Sequence, residues 1–128
     1  MPVGRRRSKV EPPPKECPLA LCMNFMAGAW TPNIIWFLSQ EPRRFSELHN
    51  DITGISPKML TSRLKKLQSD GIIKRKVIKT SPPTVEYSIT DLGKEIKPVL
   101  DAIVNVGIKI KKTRLQQLDF LALSKNSG

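Results

Sequence analysis

Between Ser56 and Ile89 the chain reads SPKMLTSRLKKLQSDGIIKRKVIKTSPPTVEYSI, and this stretch begins with the signals of a helix. Ser56 is a residue type that caps helix N-termini, and Pro57 stands where the first helical position would be. The apolar positions that follow have helical spacing and are Leu60, Leu64 and Leu67. The pair Asp70-Gly71 then favours the end of the helix.

Two apolar-rich runs follow this helix, Ile72–Lys79 and Val85–Ile89, and a Pro-Pro turn separates them. Runs of this length around a turn predict a β-hairpin. The tip at residues 79–84 is polar and stiffened by proline, which suits a hairpin that lies along a nucleic-acid backbone. Val77 and Ile78 are expected to hold the hairpin on the core.

A shorter helix is predicted just before the first one. Ser46 is expected to cap it, Leu48 to face inward, and Gly54 to end it. Only Ile55 separates Gly54 from Ser56. Two short helices joined by so brief a turn indicate a helix-turn-helix. Together with the hairpin they predict an α+β, mostly α fold, a winged helix-turn-helix with a two-stranded wing.

Three further helices surround this motif, and their expected ranges are 17–28, 31–40 and from 90 onward. Thr31 is expected to cap the second of them. The last carries a long apolar stripe, and Pro98 within it is expected to kink it because proline removes a backbone hydrogen bond. These terminal helices carry more apolar surface than one small domain can bury, so they are expected to be dimerisation helices.

The chain is expected to have three parts. Residues 1–16 form a basic, Pro-rich arm without regular structure, 17–107 form the winged domain, and 108–128 form a C-terminal helical extension or tail. The arm is either a solvated tail or a segment that contacts phosphates or the minor groove.

Composition points to a polyanionic partner. The chain has 128 residues and a formal net charge of +11, which suits one domain that binds nucleic acid or an anionic membrane surface. No apolar run approaches the roughly 18 residues of a membrane span, and the N-terminal residues lack the apolar core of a secretory signal. We therefore expect a cytoplasmic, nucleoid-associated protein that binds double-stranded DNA and no membrane.

No group of residues indicates an enzyme, a metal site or a cofactor. His49 is the single histidine and has no cysteine cluster beside it, and neither a phosphate loop nor a nucleophile elbow is present. We expect no cofactor, no metal and no enzymatic activity. Cys17 and Cys22 lie five residues apart on one helix and point in different directions, so both are expected to be thiols.

The helix that follows Ser56 is expected to read DNA, because each residue turns about 100° and the side opposite the leucines is polar. The residues expected to reach base edges are Ser56, Lys58, Met59, Thr61, Ser62 and Lys65. Those expected to contact the phosphate backbone are Arg43, Arg63, Lys66, Arg75 and Lys79, with Thr80 and Ser81 at the wing tip. Arg63 falls near the edge of the buried arc, where it either braces the helix or reaches a phosphate.

From Cys17 to about Gly107 the chain resembles the HxlR-type helix-turn-helix family, relatives of the MarR group. The matching motifs are Cys17-Pro18, Gly28-x-Trp30-Thr31, Pro42-Arg43-Arg44-Phe45-Ser46-Glu47-Leu48, Gly54-Ile55-Ser56-Pro57-Lys58-Met59-Leu60, Arg63-Leu64-x-x-Leu67, Asp70-Gly71-Ile72-Ile73, Pro82-Pro83-x-Val85-Glu86-Tyr87-Ser88-Ile89-Thr90 and Leu92-Gly93. The resemblance implies a homodimer that binds operator DNA and regulates transcription, with the first and last helices at the dimer interface. On this chain that interface is expected at Leu19, Leu92, Ile96, Leu100 and Ile103.

The chain departs from the family pattern in its second helix. The family usually has lysine where this chain has Ala29, and aliphatic residues where it has Pro32 and Asn33. These changes leave open whether a pocket for a small-molecule effector is kept.

Cys17 matches the position of a cysteine that several family members use to sense oxidants or electrophiles. A thiol at a helix start feels the N-terminal dipole, which lowers its pKa, while Glu16 opposes this effect. Cys17 is therefore either an oxidant sensor or a half-buried, inert thiol.

These observations favour a homodimeric, sequence-specific transcriptional regulator on a pseudo-palindromic operator, with a redox response through Cys17 as an additional hypothesis. Two alternatives remain open at this point. One is an architectural protein that binds DNA without sequence preference, and the other is a winged-helix module whose basic face docks an acidic protein.

Overall fold

The computed structural model of the protein describes residues 10–11 and 17–126, so most of the basic arm expected at 1–16 lies outside the described residues. The described helices and strands, in chain order, are α1 (Pro18–Met26), α2 (Thr31–Leu38), β1 (Arg43–Arg44), α3 (Phe45–Asp51), α4 (Pro57–Ser69), β2 (Ile73–Ile78), β3 (Thr84–Ile89), α5 (Asp91–Lys94) and α6 (Lys97–Asn126).

The three strands form one antiparallel sheet in the order β1-β3-β2. Strands β2 and β3 are the predicted hairpin, and their pairing runs from Ile73 opposite Ile89 to Ile78 opposite Thr84. The two-residue strand β1 adds to the free edge of β3 and fastens the base of the wing to the segment that enters α3. The predicted winged, mostly helical α+β fold is confirmed.

The hydrophobic core lies between α2, α3, α4 and the base of the hairpin, and the first turns of α6 close it. Its buried members are Ile34, Ile35, Leu38, Leu48, Ile52, Ile55, Leu60, Leu64, Leu67, Ile72, Ile73, Ile96 and Leu100. The predicted inward stripe of α4 is confirmed, because all three of its leucines belong to this set. The opposite side of α4 is thereby directed away from the core.

The far end of the hairpin projects beyond this core. Val77 is 52% exposed, so the expectation that Val77 helps to hold the hairpin on the core is wrong. The contacts are made nearer the base, where Tyr87 and Ile89 pack against the core. The hairpin therefore stands out as a wing rather than lying flat on the domain.

The start of α2 differs from the prediction. Trp30 precedes the helix with a φ of 72°, and Thr31 is the first helical residue. The Thr31 hydroxyl, which is fully buried, donates a hydrogen bond of 2.9 Å to the carbonyl oxygen of Ala27. The expectation that Thr31 caps the helix is wrong, because from inside the first turn its hydroxyl reaches back to the preceding segment.

Helix α3 also begins earlier than expected. It starts at Phe45, and Ser46 lies inside its first turn. The backbone N–H of Arg44 donates a hydrogen bond of 2.9 Å to the Glu47 carboxylate. The prediction of Ser46 as cap is wrong, since a carboxylate at the third helical position satisfies the backbone donor that precedes the helix.

Pro98 begins a helix and does not kink one. Helix α5 ends at Lys94, and Pro98 lies in the first turn of α6. The Ile96 carbonyl accepts the first hydrogen bonds of the new helix, from the N–H groups of Val99 at 3.0 Å and Leu100 at 3.1 Å. The predicted kink is wrong because a first-turn residue needs no intrahelical N–H bond, so proline is well tolerated there.

Helix α6 is 30 residues long, which corresponds to about 45 Å at the usual rise per residue. It runs without interruption through Gly107, where the sequence was expected to pass from domain to extension. Only its first turns belong to the core, and every side chain described from residue 102 onward is exposed. In the described ranges, none of the helices combines the length and apolar character that crossing a membrane requires.

Candidate DNA-binding surface

Local chemistry fixes the start of α4. The Ser56 side chain accepts a hydrogen bond of 3.1 Å from the Met59 backbone N–H, as predicted, and Pro57 occupies the first turn. The preceding turn passes through Gly54 with a φ of 96°, a conformation that favours glycine. The Trp30 ring lies 3.5 Å from where a Cβ of residue 54 would stand. The turn is therefore held close to the start of α2.

The side of α4 that faces away from the core carries polar and cationic groups. One shallow, open surface along this side is lined by Pro57, Lys58, Thr61, Ser62 and Lys65. In the described part of the chain, the side chains of Lys58, Ser62 and Lys65 form no hydrogen bond or ion pair. The Thr61 hydroxyl donates to the Pro57 carbonyl oxygen at 2.9 Å, and Thr61 is exposed. Two ammonium groups and two hydroxyls thus lie together on an exposed helix face.

The other residues expected to read bases are less available. Met59 is half-buried and packs against the core. The Ser56 oxygen caps α4, although Ser56 itself is exposed at the helix start. The structure therefore concentrates the accessible polar groups of α4 on Lys58, Ser62 and Lys65, with Thr61 beside them.

One flank of α4 is tied to the connection between α1 and α2. The Arg63 Nε donates to the Ala29 carbonyl oxygen at 2.9 Å. The Lys66 Nζ donates to the Asn24 carbonyl oxygen and to the Asp70 carboxylate, both at 2.8 Å. Of the two roles that the sequence left open for Arg63, the structure shows the bracing one. We therefore leave Arg63 and Lys66 out of the proposed phosphate contacts.

Arg43 is engaged inside the chain. Its guanidinium forms a bidentate pair with Asp51, with both N···O distances 2.9 Å. It also lies 3.2 Å from Glu47 and 3.1 Å from Glu41. The hydrogen bonds to Asp51 raise the pKa of Arg43 above its ordinary value, so the group stays charged. Carboxylates surround this charge and fasten β1 to α3, so we also leave Arg43 out of the proposed phosphate contacts.

Alternation along β2 sorts the wing cations onto two faces. Arg75 shares a face with the buried Ile73, which is directed toward the helices. Lys74 and Lys76 lie on the opposite face and line a groove there. Lys79 follows β2 and is exposed at the wing tip. Arg75 and Lys79 are therefore the wing cations best placed to act with α4.

The wing tip is stiffened by its own hydroxyl groups. The Thr80 hydroxyl donates to the Pro82 carbonyl oxygen at 2.8 Å and lies 3.4 Å from the Thr84 hydroxyl. Ser81 is exposed beside it. The expected wing residues Lys79, Thr80 and Ser81 therefore form one exposed polar loop, in which Thr80 shapes the loop and its neighbours remain accessible.

The two cysteines are free, half-buried thiols. Cys17 directly precedes α1, as the sequence indicates, and its carbonyl oxygen accepts the Leu21 N–H at 3.1 Å. Cys22 lies one turn further along the same helix. Among the described residues, no group of three or more potential metal ligands is close enough to hold a metal ion.

The residues expected at a dimer interface divide into two groups. Leu19, Leu92 and Ile103 are exposed, at 66%, 47% and 51%. Ile96 and Leu100 are only 4% and 3% exposed, so their expected place at an interface is corrected to the chain's own core. They face inward because the junction between α5 and α6, together with the first turn of α6, closes the core.

The exposed apolar surface extends further along α6 than the five interface residues named from the sequence. Its members are Val104, Val106, Ile108, Ile110, Leu115, Leu118, Phe120, Leu121 and Leu123. The three-residue spacing of Leu115, Leu118 and Leu121 was the available signal for it. An apolar cleft of about 390 Å³ between α2 and α6 borders this surface, and its lining includes Trp36, Phe37 and Ile103.

Comparison with known proteins identifies the family. The HxlR-like helix-turn-helix family matches residues 25–115. An HTH-type transcriptional regulator of Halalkalibacterium halodurans is 38% identical over 96 residues, which cover 74% of this chain and 85% of the relative. The aligned region covers most of both chains, so the similarity extends over the whole domain.

Solved structures show the same fold. A Porphyromonas gingivalis W83 protein assigned to the MarR family of transcriptional regulators is 40% identical, with a TM-score of 0.70, and the match covers 81% of this chain and 97% of that one. The redox regulator HypR, in its reduced form, is 29% identical with a TM-score of 0.69, and the match covers 73% and 93% of the two chains. The chain thus belongs to the HxlR-like helix-turn-helix family and is a transcriptional regulator with a helix-turn-helix DNA-binding domain.

Proposed function

We propose that the chain acts as a homodimer that binds a pseudo-palindromic operator and reads its sequence with α4. The observation that carries the proposal is the exposed face of α4, where Lys58, Ser62 and Lys65 have no partner in the described chain and Thr61 lies beside them. Hydroxyl and ammonium groups on an exposed helix are suited to the donors and acceptors of base edges in a major groove.

The wing supplies phosphate contacts in this proposal. Arg75 lies on the helix-facing side of β2, and Lys79 with Ser81 lies at the exposed tip. Phosphate contacts position a protein on DNA without reading sequence, and each lost contact weakens the dependence of binding on salt. The formal net charge of +11 favours the approach to DNA as a whole.

A second protomer is proposed to cover the apolar surface of α6. Ile103 and the exposed apolar residues that follow it extend along most of a 30-residue helix, together with the cleft between α2 and α6. A surface of this extent is unusual for a monomer. Two-fold pairing would place the α4 copies about 34 Å apart, which corresponds to one turn of DNA.

Selection of bound sequences from a random DNA pool, at stated salt, tests the function. We expect one pseudo-palindromic sequence to be enriched. Equal affinity for unrelated sequences at the same salt would favour an architectural DNA-binding protein. Absence of DNA binding at physiological salt would favour the alternative in which the basic face docks an acidic protein.

We further propose an oxidant as the effector, acting through Cys17. Two observations support this: the half-buried thiol precedes α1, and HypR, a redox regulator solved in reduced and oxidised forms, has a similar fold. Diamide would take two electrons and two protons from two thiols and leave one disulfide. With Cys17 or Cys22 of a second protomer as partner, this bond would move α1 at the dimer interface.

A further inference from the structure

Two cations on α4 point at backbone carbonyl groups of another segment. The Arg63 Nε lies 2.9 Å from the Ala29 oxygen, which is 34 residues away in sequence. The Lys66 Nζ lies 2.8 Å from the Asn24 oxygen, which is 42 residues away. Both bonds are charge-assisted and therefore stronger than neutral ones. They join α4 directly to the end of α1 and to the loop that follows it.

The acceptors suit cations. Asn24 lies in the last turn of α1, whose carbonyl groups lack full intrahelical partners and carry the negative end of the helix dipole. Asp70, at the end of α4, holds the same Lys66 ammonium from the other side at 2.8 Å. The ammonium group is thus shared between two helices, and its direction is set from both.

The loop that receives Arg63 has little freedom to move. Gly28 has a φ of 100°, and a Cβ there would stand 2.8 Å from the Arg63 Cζ, so the guanidinium packs directly over the glycine backbone. Trp30, also at positive φ, places its ring against Gly54 in the turn that precedes α4. Arg63 and Lys66 of α4 therefore bond to the segment from Asn24 to Trp30. The Trp30 ring of the same segment packs against the turn that precedes α4.

We propose that Arg63 and Lys66 are positioning residues that set the angle of α4 against α1 and thereby determine sequence discrimination, without contacting phosphate. This inference rests on the proposed function, since it concerns how α4 reads an operator. Base readout depends on donors and acceptors held within about 0.5 Å and 10–20° of their productive geometry. If α4 loses its hydrogen bonds to Asn24 and Ala29, it keeps its cationic outer face. The angle between α4 and the rest of the domain is then no longer held at one value.

Substituting Arg63 two ways separates positioning from phosphate binding. Glutamine places its amide nitrogen the same number of bonds from the backbone as the arginine Nε, so Arg63→Gln keeps a donor for Ala29 and removes the charge. Arg63→Ala removes both. We expect Arg63→Ala to lower the ratio of operator to scrambled-DNA affinity about tenfold, and Arg63→Gln to stay near wild type. Both should keep the wild-type salt slope.

Lys79→Ala is the matched control for a phosphate contact and should lower the salt slope by about 0.9 unit, with the affinity ratio unchanged. Lys66→Ala should behave like Arg63→Ala. If Arg63→Ala and Arg63→Gln both lower the slope by about 0.9 unit and keep the ratio, Arg63 is a phosphate contact and the proposal is wrong. Thermal unfolding of each full-length variant identifies any loss that comes from misfolding.

A measurement without DNA separates the two proposals. Amide hydrogen exchange at residues 27–30 should be faster in Arg63→Ala and near wild type in Arg63→Gln. A wild-type chain that fails to distinguish operator from scrambled DNA overturns the proposed function, whatever exchange shows. A chain that discriminates, with equal exchange and equal ratios in wild type and Arg63→Ala, overturns only the positioning role.

Discussion

At the scale of single residues, Gly93 shows how closely α5 approaches the hairpin base. The Thr90 hydroxyl accepts the Gly93 N–H at 3.1 Å and donates to the Gly71 carbonyl oxygen at 2.6 Å. A Cβ at residue 93 would overlap the Ile72 carbonyl oxygen and the Ile89 side chain. Glycine is needed here for space, because backbone and branched side chain leave no room for a methyl group.

Gly93→Ala should therefore destabilise the fold by about 1–3 kcal/mol through overpacking. Gly107→Ala is the matched control, because nothing lies within 4 Å of the Cβ it would add. In a helix this second change should stabilise by about 0.5–1 kcal/mol. Urea unfolding at equal protein concentration measures both. Equal losses in the two variants would show that crowding at Gly93 is not the cause.

Cys17 carries the second prediction at this scale. If Cys17 is the oxidant sensor, DNA affinity should change on treatment with diamide and recover with a thiol reductant, and Cys17→Ser should not respond. Cys22→Ser tells whether the partner thiol is Cys22 of the other protomer or a second Cys17. A wild-type protein whose DNA binding ignores diamide and peroxide would leave Cys17 as a packing residue.

At the scale of elements, α4 presents three different sides. One side is the buried leucine stripe, one flank bonds to the α1–α2 segment through Arg63 and Lys66, and the outer side carries Lys58, Ser62 and Lys65. The side chains of the three residues on the outer side have no partner in the described chain. The wing adds cations beside it. Base readout is therefore assigned to α4, and contacts to the phosphate backbone are assigned to the wing.

Ser62→Ala and Lys79→Ala test that division. Ser62 lies on the outer side of α4, so removing its hydroxyl should change the preference among operator variants by about fivefold to a hundredfold at the affected base pair. Lys79 lies at the wing tip, so its loss should weaken all sequences alike and lower the salt slope by about 0.9 unit. Binding titrations at several salt concentrations give both quantities. If both variants weakened the affinity for every DNA sequence equally, the proposal that α4 reads bases would be wrong.

At the scale of the whole molecule, most of α6 is left exposed by the rest of the chain. Leu100 in its first turn and Ile96 just before it close the core, whereas Ile103 and the apolar residues beyond it are exposed. The N-terminal end of α6 thus packs into the core of its own chain. The rest of the helix presents apolar side chains that a partner would bury. We propose that the partner is a second copy of the chain.

Ile110→Asp and Lys112→Asp test this assembly. The two positions lie about 200° apart around α6, so one falls on the apolar side and the other on the polar side. A charge at Ile110 should shift the protein toward monomer at micromolar concentration, while the same charge at Lys112 should leave the dimer intact. Analytical ultracentrifugation measures the mass. A wild-type chain that is monomeric under these conditions would contradict the proposed dimer.

Local signals were enough to predict α4, the helix-turn-helix and the hairpin. The Ser56 cap, the leucine spacing and the Asp70-Gly71 end each depend on neighbours within a few residues, so the sequence alone determined where α4 starts, ends and faces. The family resemblance rested on this stretch together with motifs on either side of it, from Cys17-Pro18 to Leu92-Gly93. Ser46 was a near miss because the neighbouring Glu47 carboxylate bonds the Arg44 N–H, and Thr31 was one because its hydroxyl bonds the Ala27 carbonyl oxygen from inside the first turn.

Partners distant in sequence were decided only by the tertiary structure. Arg63 and Lys66 bond carbonyl groups 34 and 42 residues away, and no local pattern distinguishes such cations from ones that face solvent. The apolar stripe of α6 looked continuous, yet Leu100 belongs to the buried core whereas Ile103 lines the open cleft between α2 and α6. Periodicity shows which residues share a face, but burial depends on which element packs against that face, and the folded chain alone determines this.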